Sequence, residues 1–231
     1  MERFESGGIH YEAISDTDAQ IIGCVTKKLR KLTCVHSVNG YRVTQIARDA
    51  FAGHEDLELL YLSPNITKIG GRAFQGCKKL KQICQMSDAQ PVFIFEKAFA
   101  DCTALEHIYA DIRSFGMCAF ENCVSLKDLV VVPACTHIGP HAFLNCVNLK
   151  KINFSGLYVN DPVIYIYDDA FENCTLKYVY SRRNAVIETA SVLDEPSMEK
   201  LFPQTATIIC DASSNMNEFA FHGYTVMEWK K

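Results

Sequence analysis

The chain has no apolar run long enough to cross a bilayer. Its most apolar stretches, such as LVVVP at 129–133, fall far short of the roughly 20 residues that a spanning helix needs. The opening MERFESGGIHYE has no apolar segment of the kind an export leader carries. Excess positive charge is missing too. Lys and Arg number 23 against 27 Asp and Glu, for a net charge of −4, so nucleic acid is not expected as a partner. The 11 cysteines contain no C-x-x-C pair and the seven histidines no H-E-x-x-H, so the usual zinc and redox signatures are absent. No G-x-S-x-G, P-loop or dinucleotide-binding glycine pattern occurs. An odd number of cysteines spread over 231 residues does not read as a small disulfide scaffold. What is present is ordinary for a folded chain: 48% hydrophobic and 22% charged residues.

The sequence is periodic. Ala-Phe recurs at 50–51, 73–74, 98–99, 119–120, 142–143 and 170–171, at steps of 23, 25, 21, 23 and 28 residues. Three residues after the Phe stands Cys77, Cys102, Cys123, Cys146 or Cys174, with His54 in that place in the first unit. Leucine follows six residues after the Phe, at 57, 80, 105, 126 and 149, and one residue early at Leu176. Four residues before each Ala stands Ile46, Ile69, Ile94, Phe115, Ile138 or Ile166. Three after each Leu is another apolar residue: Leu60, Ile83, Ile108, Leu129, Ile152 and Val179. Self-similarity at this period marks a solenoid, in which no unit can bury its apolar flank alone.

Each unit reads as a coil. The spacing of Ile69, Ala73 and Cys77 predicts a short helical turn. The alternation Leu60-Tyr61-Leu62 predicts a strand with 60 and 62 inward. A second extended piece is expected at 66–69, and Gly70 and Gly139 are read as relaxing the chain into the turn. The repeat cysteines are expected to be buried as small apolar groups. Cys84 is the thiol expected to be exposed. The acidic pair Asp168-Asp169 is read as the start of a helical turn.

The unit L-x-x-I-x-L-P-x-x-V-T-x-I-G-x-x-A-F-x-x-C, seen at 57–79 (LELLYLSPNITKIGGRAFQGCKK) and 126–148, resembles the BspA-like (Treponema-type) leucine-rich repeat family over about residues 8–231. The resemblance implies an α/β repeat solenoid: a right-handed coil with short strands on the concave face and short helical turns on the convex side, capped at both ends. It implies one continuous domain with a β-hairpin cap over 1–46, a solenoid of about six coils over 47–180, and a strand–helix–strand cap within 181–231. The hairpin is read from alternation at 8–14 and 19–25, and the final elements from strands at 207–210 and 224–229 around a helix at 213–222. Family members are non-catalytic and bind proteins or surfaces, so no catalytic, cofactor or metal residue is carried over.

The open sheet face is the candidate binding surface. The inward register of Leu60 and Leu62 puts Tyr61 outward. The same register places Gln82 and Cys84, His107 and Tyr109, Asp128 and Val130, Lys151 and Asn153, and Tyr178 and Tyr180 on that face. Such a partly aromatic, weakly charged stripe suits protein recognition, although exposed strand positions favour tyrosine and valine in any case. Cys84 and His107 make at most a pair of metal ligands, too few for a site. The leading expectation is a non-catalytic scaffold binding another protein or surface macromolecule, without membrane insertion and with a monomer favoured. The alternative is a structural segment of a larger surface assembly that makes end-to-end contacts. Unpaired thiols and the lack of an export leader point to the cytoplasm, and the family resemblance to the cell surface.

Overall fold

The computed structural model describes residues 2–86, 88–132, 134–154, 163–181, 186–190, 201–210, 220 and 222–228. The chain begins with β1 (Arg3–Ser6), β2 (Ile9–Ala13), β3 (Asp18–Cys24), β4 (Lys31–Thr33), β5 (Ser37–Val38) and β6 (Tyr41–Ile46). Two strands, one for each of two sheets, then recur coil by coil: β7 (Leu59–Leu62) and β8 (Lys68–Ile69), β9 (Gln82–Gln85) and β10 (Val92–Ile94), and β11 (His107–Tyr109) and β12 (Ile112–Phe115). They continue as β13 (Asp128–Val130) and β14 (His137–Ile138), β15 (Lys151–Asn153) and β16 (Val163–Tyr167), and β17 (Tyr178–Ser181) and β18 (Val186–Ala190). β19 (Thr207–Cys210) and β20 (Thr225–Glu228) come last.

The result is a β-solenoid of about six turns with two strand-bearing sides. The first strands of the coils stack in parallel as β4-β7-β9-β11 and β13-β15-β17-β19-β20. The second strands build one long sheet, β1-β2-β3-β6-β8-β10-β12-β14-β16-β18, with β5 hairpinned onto β6. The β5–β6 turn is Asn39-Gly40, both at positive φ (48° and 85°), which is the backbone a two-residue hairpin of type I′ demands. The expected antiparallel hairpin forms from β2 and β3. β1 adds an unforeseen outer strand to it. The helix expected over 213–222, apart from Ala220 and His222, and the 157–162 insertion lie outside the described residues.

The third side of each coil corrects the sequence reading. The Ala-Phe segments are successive turns, and no helix forms in them among the described residues. In the second coil, Ala73 N, Gln75 N and Cys77 N each donate to the carbonyl three residues back (3.2, 3.1 and 3.1 Å). The alternate donors Arg72 N, Phe74 N and Gly76 N reach instead to Glu96, Ala98 and Ala100 of the next coil (2.9, 2.8 and 2.9 Å). A helix needs every N–H for its own i−4 carbonyl; here half of them join coils. Arg72 and Gly76 accordingly have φ of 57° and 73°, and a left-handed residue every fourth position forbids a right-handed helix. The four-residue spacing of inward side chains therefore comes from paired tight turns. Gly70 and Gly139 also differ from expectation. Neither has positive φ; a Cβ on Gly70 would sit 2.5 Å from the Arg48 nitrogen, so the requirement is clearance between coils.

Side chains stack in files through the core. Phe51, Phe74, Phe99, Phe120, Phe143 and Phe171 form one continuous stack, with centroids 5.1–5.5 Å apart and interplanar angles of 3–14°. Beside it each repeat cysteine donates its thiol hydrogen to the Phe carbonyl of the preceding coil: Cys77 to Phe51, Cys102 to Phe74, Cys123 to Phe99, Cys146 to Phe120 (all 3.2 Å) and Cys174 to Phe143 (3.1 Å). The expected burial holds, and the thiol has a polar duty that its small apolar size does not announce. At the outer corner Asn122, Asn145 and Asn173 pass an amide ladder from Asp101 (2.8, 2.9 and 2.9 Å). All four have φ of 58–61°, the region that Asn and Asp tolerate best after Gly.

Two tests follow from the stacked files. Phe99→Ala should cost about 3–5 kcal/mol of unfolding free energy in urea titration, whereas Phe95→Ala, on an exposed ring, should stay within about 0.5 kcal/mol. Asn145→Ala, which breaks two ladder bonds and leaves at φ 61° a residue without the amide that lets Asn tolerate it, should cost about 2 kcal/mol, and Asn145→Gly, which relieves the backbone, roughly 1 kcal/mol.

Candidate functional site

The first strand of each coil is held by an inward residue at its centre. Leu32, Leu60, Ile83, Leu129, Ile152, Val179 and Ile208 are buried there. Their neighbours on either side must then point out, and the strand register arranges them in columns. Leu59, Gln82 and His107 align, as do Tyr61, Cys84 and Tyr109. In the second sheet Asp128, Lys151 and Tyr178 align, as do Val130, Asn153 and Tyr180. All eleven residues expected on this face lie on it. The columns also extend further than expected: Lys31 and Thr33 precede them on β4, and Thr207, Ile209, Thr225 and Met227 follow on β19 and β20. The β4 coil escaped notice because it has no Ala-Phe. Its signal was Leu32-x-Cys34, which repeats the inward pair Leu60-x-Leu62.

The face is broken once. β11 and β13 share no strand pairing, although they belong to consecutive coils. The step between their Ala-Phe pairs is the short one of 21 residues, and Ile108 is only half-buried where its column mates are fully so. Beside the break lies an open cleft of about 300 Å³ with Gln85, Met86, Asp88, Tyr109 and Asp111 in its walls. Gln85 occupies the inward place that Leu62 fills one coil earlier. It ties the cleft together, donating from Nε2 to Gln90 O (2.8 Å) and accepting at Oε1 from Asp111 N (2.9 Å). Tyr109 is 57% exposed and Val130 54%. The Tyr109 ring stacks on His107 at 5.5 Å, and Lys31 Nζ sits 4.5 Å from the Tyr61 ring centre, within cation–π range.

Charges gather where the strands begin. Arg30 Nε donates to Glu58 Oε1 at 2.9 Å, and Lys127 donates to Glu106. These hydrogen bonds hold both carboxyls below the usual carboxylate range. His107 stands 3.9 Å from both Glu106 and Asp128. At the turn corner Asp169 and Glu172 flank His141 at 3.3 Å each. Of the acidic pair, Asp169 accepts at Oδ1 from His141 N of the preceding coil (3.3 Å), so it joins two coils and does not open a helical turn.

None of the 11 cysteines is disulfide-bonded, and all but Cys24 and Cys84 are buried. Cys84 is half-buried, so the thiol expected to be exposed is only partly so. Burial pushes Cys34, Cys77 and Cys135 up to about 12, and raises Cys24 and Cys84 as well. Cys24 Sγ lies 3.3 Å from His54 Nε2 and 3.0 Å from Thr26 O, a contact no sequence spacing disclosed. Its raised pKa keeps the thiol protonated, so the pair serves as a hydrogen bond between cap and first coil and not as an activated nucleophile. Among the described residues no three His, Cys, Asp or Glu side chains group as metal ligands, and no helix is long and apolar enough to cross a membrane.

The thiols give two expected outcomes. In native buffer a water-soluble thiol reagent should label Cys24 and Cys84, and in urea all 11 cysteines. The buried thiols hold their protons more tightly folded than unfolded. Their stabilisation is therefore complete below pH 9.0 and is lost as pH rises from there toward about 12. The urea midpoint should fall over that window, with thiolate absorbance appearing together with unfolding.

Comparison with known proteins agrees with the coil geometry. The sequence model of the BspA type leucine rich repeat region matches residues 89–192 in six copies. The fold is similar to the leucine-rich repeat protein of T. pallidum, at 25% identity and a TM-score of 0.68 over 82% of this chain and 85% of that one. It is also similar to a leucine-rich cell surface protein from Faecalibacterium prausnitzii A2-165, at 20% identity and a TM-score of 0.66 over 93% of this chain. The present chain spans only 56% of that protein. A leucine-rich repeat protein from Bacteroides ovatus shares the fold at 17% identity and a TM-score of 0.55, over 98% of this chain and 76% of that one. Among curated proteins none matches the chain significantly.

Proposed function

We propose that this chain, whose residues 89–192 carry BspA-type leucine-rich repeats, is a non-catalytic scaffold that binds another protein through the outward columns of its first strands. The observation that carries the reading is the register. Tyr61, Cys84 and Tyr109, then Val130, Asn153 and Tyr180, present side chains in file on strands whose other face is locked in the core. A binding surface built on strands loses little order on docking, and tyrosine supplies contact area with few torsions to freeze. The exposure of Tyr109, Val130 and Tyr178 (57, 54 and 39%) leaves that area available. The likeness to a bacterial cell surface protein supports adhesion at a surface as the setting, with the face as the adhesive element.

The test compares two variants in pull-downs from matrix proteins and from cell lysates, with bound proteins identified by mass. The triple variant Tyr61→Ala, Tyr109→Ala, Tyr178→Ala should lose at least about tenfold in capture of any specific partner while keeping the parent's thermal midpoint within a few degrees. Tyr165→Ala, on the long sheet, should capture as the parent does. Equal capture by the triple variant and the parent rejects the face as the interface.

A further inference from the structure

The chain as a whole is acidic, with net charge −4, yet the strand face is not. The residue that leads into each first strand sits at one edge of that face. In successive coils it is Arg30, Glu58, Lys81, Glu106, Lys127, Lys150 and Lys177. The first outward column adds Lys31 and Lys151 against Asp128. Along this edge cations outnumber carboxylates by seven to three. The carboxylates are also largely spent: Glu58 is taken by Arg30 and Glu106 by Lys127. Lys151 and Lys177, both exposed, enter no ion pair among the described residues. Lys150 donates to a backbone carbonyl, Val147 O at 3.1 Å. Lys31 faces the Tyr61 ring.

We propose that this edge is electropositive by design of the coil and receives an acidic, extended protein segment lying across the strands. The proposal rests on reading the strand face as the binding surface and adds the chemistry of its partner. Coils repeat at about 4.8 Å, so Lys150 and Lys177 present two cations at that interval with Lys151 next to them, beside the exposed ring of Tyr178. A peptide with carboxylates on one flank and apolar or aromatic groups on the other satisfies both rows. The overall negative charge turns such a segment away from the rest of the surface and steers it to this edge. A polyphosphate backbone fits less well, because Arg30 and Lys127 are already paired with Glu58 and Glu106, which leaves too few free cations to meet its evenly spaced charges. At the far end of the strands Asp88 and Asp111 border the cleft, which fixes the acidic flank of the ligand to the edge where the strands begin.

The test is fluorescence polarisation of the full chain with three labelled probes: a peptide of alternating Glu and Tyr, one of alternating Lys and Tyr, and an oligothymidine. The Glu-Tyr peptide should bind and should weaken on raising salt. It should weaken about tenfold in the variant Lys31→Glu, Lys151→Glu, Lys177→Glu. A variant with the same charge change on the long-sheet and turn sides, Lys68→Glu, Lys97→Glu, Arg113→Glu, should bind the peptide as the parent does. Equal binding of the Lys-Tyr peptide, tighter binding of oligothymidine, or indifference to the face reversals overturns the proposal. If the tyrosine triple variant loses the Glu-Tyr peptide while the face charge reversal does not, the face stands as a binding surface and its acidic partner falls.

Discussion

Every second N–H of the Ala-Phe turn belongs to the next coil. This division of donors, one to the local turn and the next across to Ala98 or Ala142, is the constraint from which the rest of the molecule follows. It excludes the helix that the four-residue spacing suggests. It sets left-handed backbone at fixed positions, where Gly53 and Gly76 in the first coils give way to Asp101 and then the asparagines. It also brings the phenylalanine rings to a centroid spacing of 5.1–5.5 Å, close enough for the rings to fill one file without gaps. Backbone donors that a buried turn would otherwise orphan are each satisfied, alternately within the turn and across coils.

Much of this was legible in the residues. The inward places of Leu60, Ile83, Leu129 and Ile152, the second strands ending at Ile69 and Ile138, and the outward columns from Tyr61 to Tyr180 all came from period alone. Period fixes which residues are equivalent, and equivalence in a stacked array is enough to say which ones share a face. The backbone path between equivalent residues was another matter. A spacing of four is common to one helical turn and to two linked tight turns, and only the destination of the N–H groups separates them. Gly70 likewise looks the same in sequence whether it serves a positive φ or a close approach. The β4 coil and the Cys24–His54 contact were missed because each belongs to the end of the array, where the repeat has no preceding copy to be compared with.

The outward strand face inherits its order from the same source. Its side chains are exposed or half-buried, and outside the Ile108 coil and β20 each adjoins a strand-centre residue fixed in the core, so the columns follow the coils beneath them. The exception is instructive. Where the step shortens to 21 residues, the strand ladder lapses between β11 and β13, Ile108 loses part of its cover, and the cleft beside Tyr109 opens. Local irregularity in coil length is thus converted into a depression on an otherwise level surface, next to its most exposed ring.

The thiol-to-carbonyl contacts have a direction. Each coil brings a donor for the coil before it and leaves an acceptor for the coil after it, so the array reads the same at every junction from Phe51 to Phe171. A whole coil could be duplicated or deleted in such a chain without leaving a repeat thiol short of its carbonyl, because that contact is the same at each of these junctions. Length is therefore the cheapest property for this architecture to vary, and the outward columns can grow or shrink by one coil at a time while the first coil, with its Cys24–His54 contact, stays as it is.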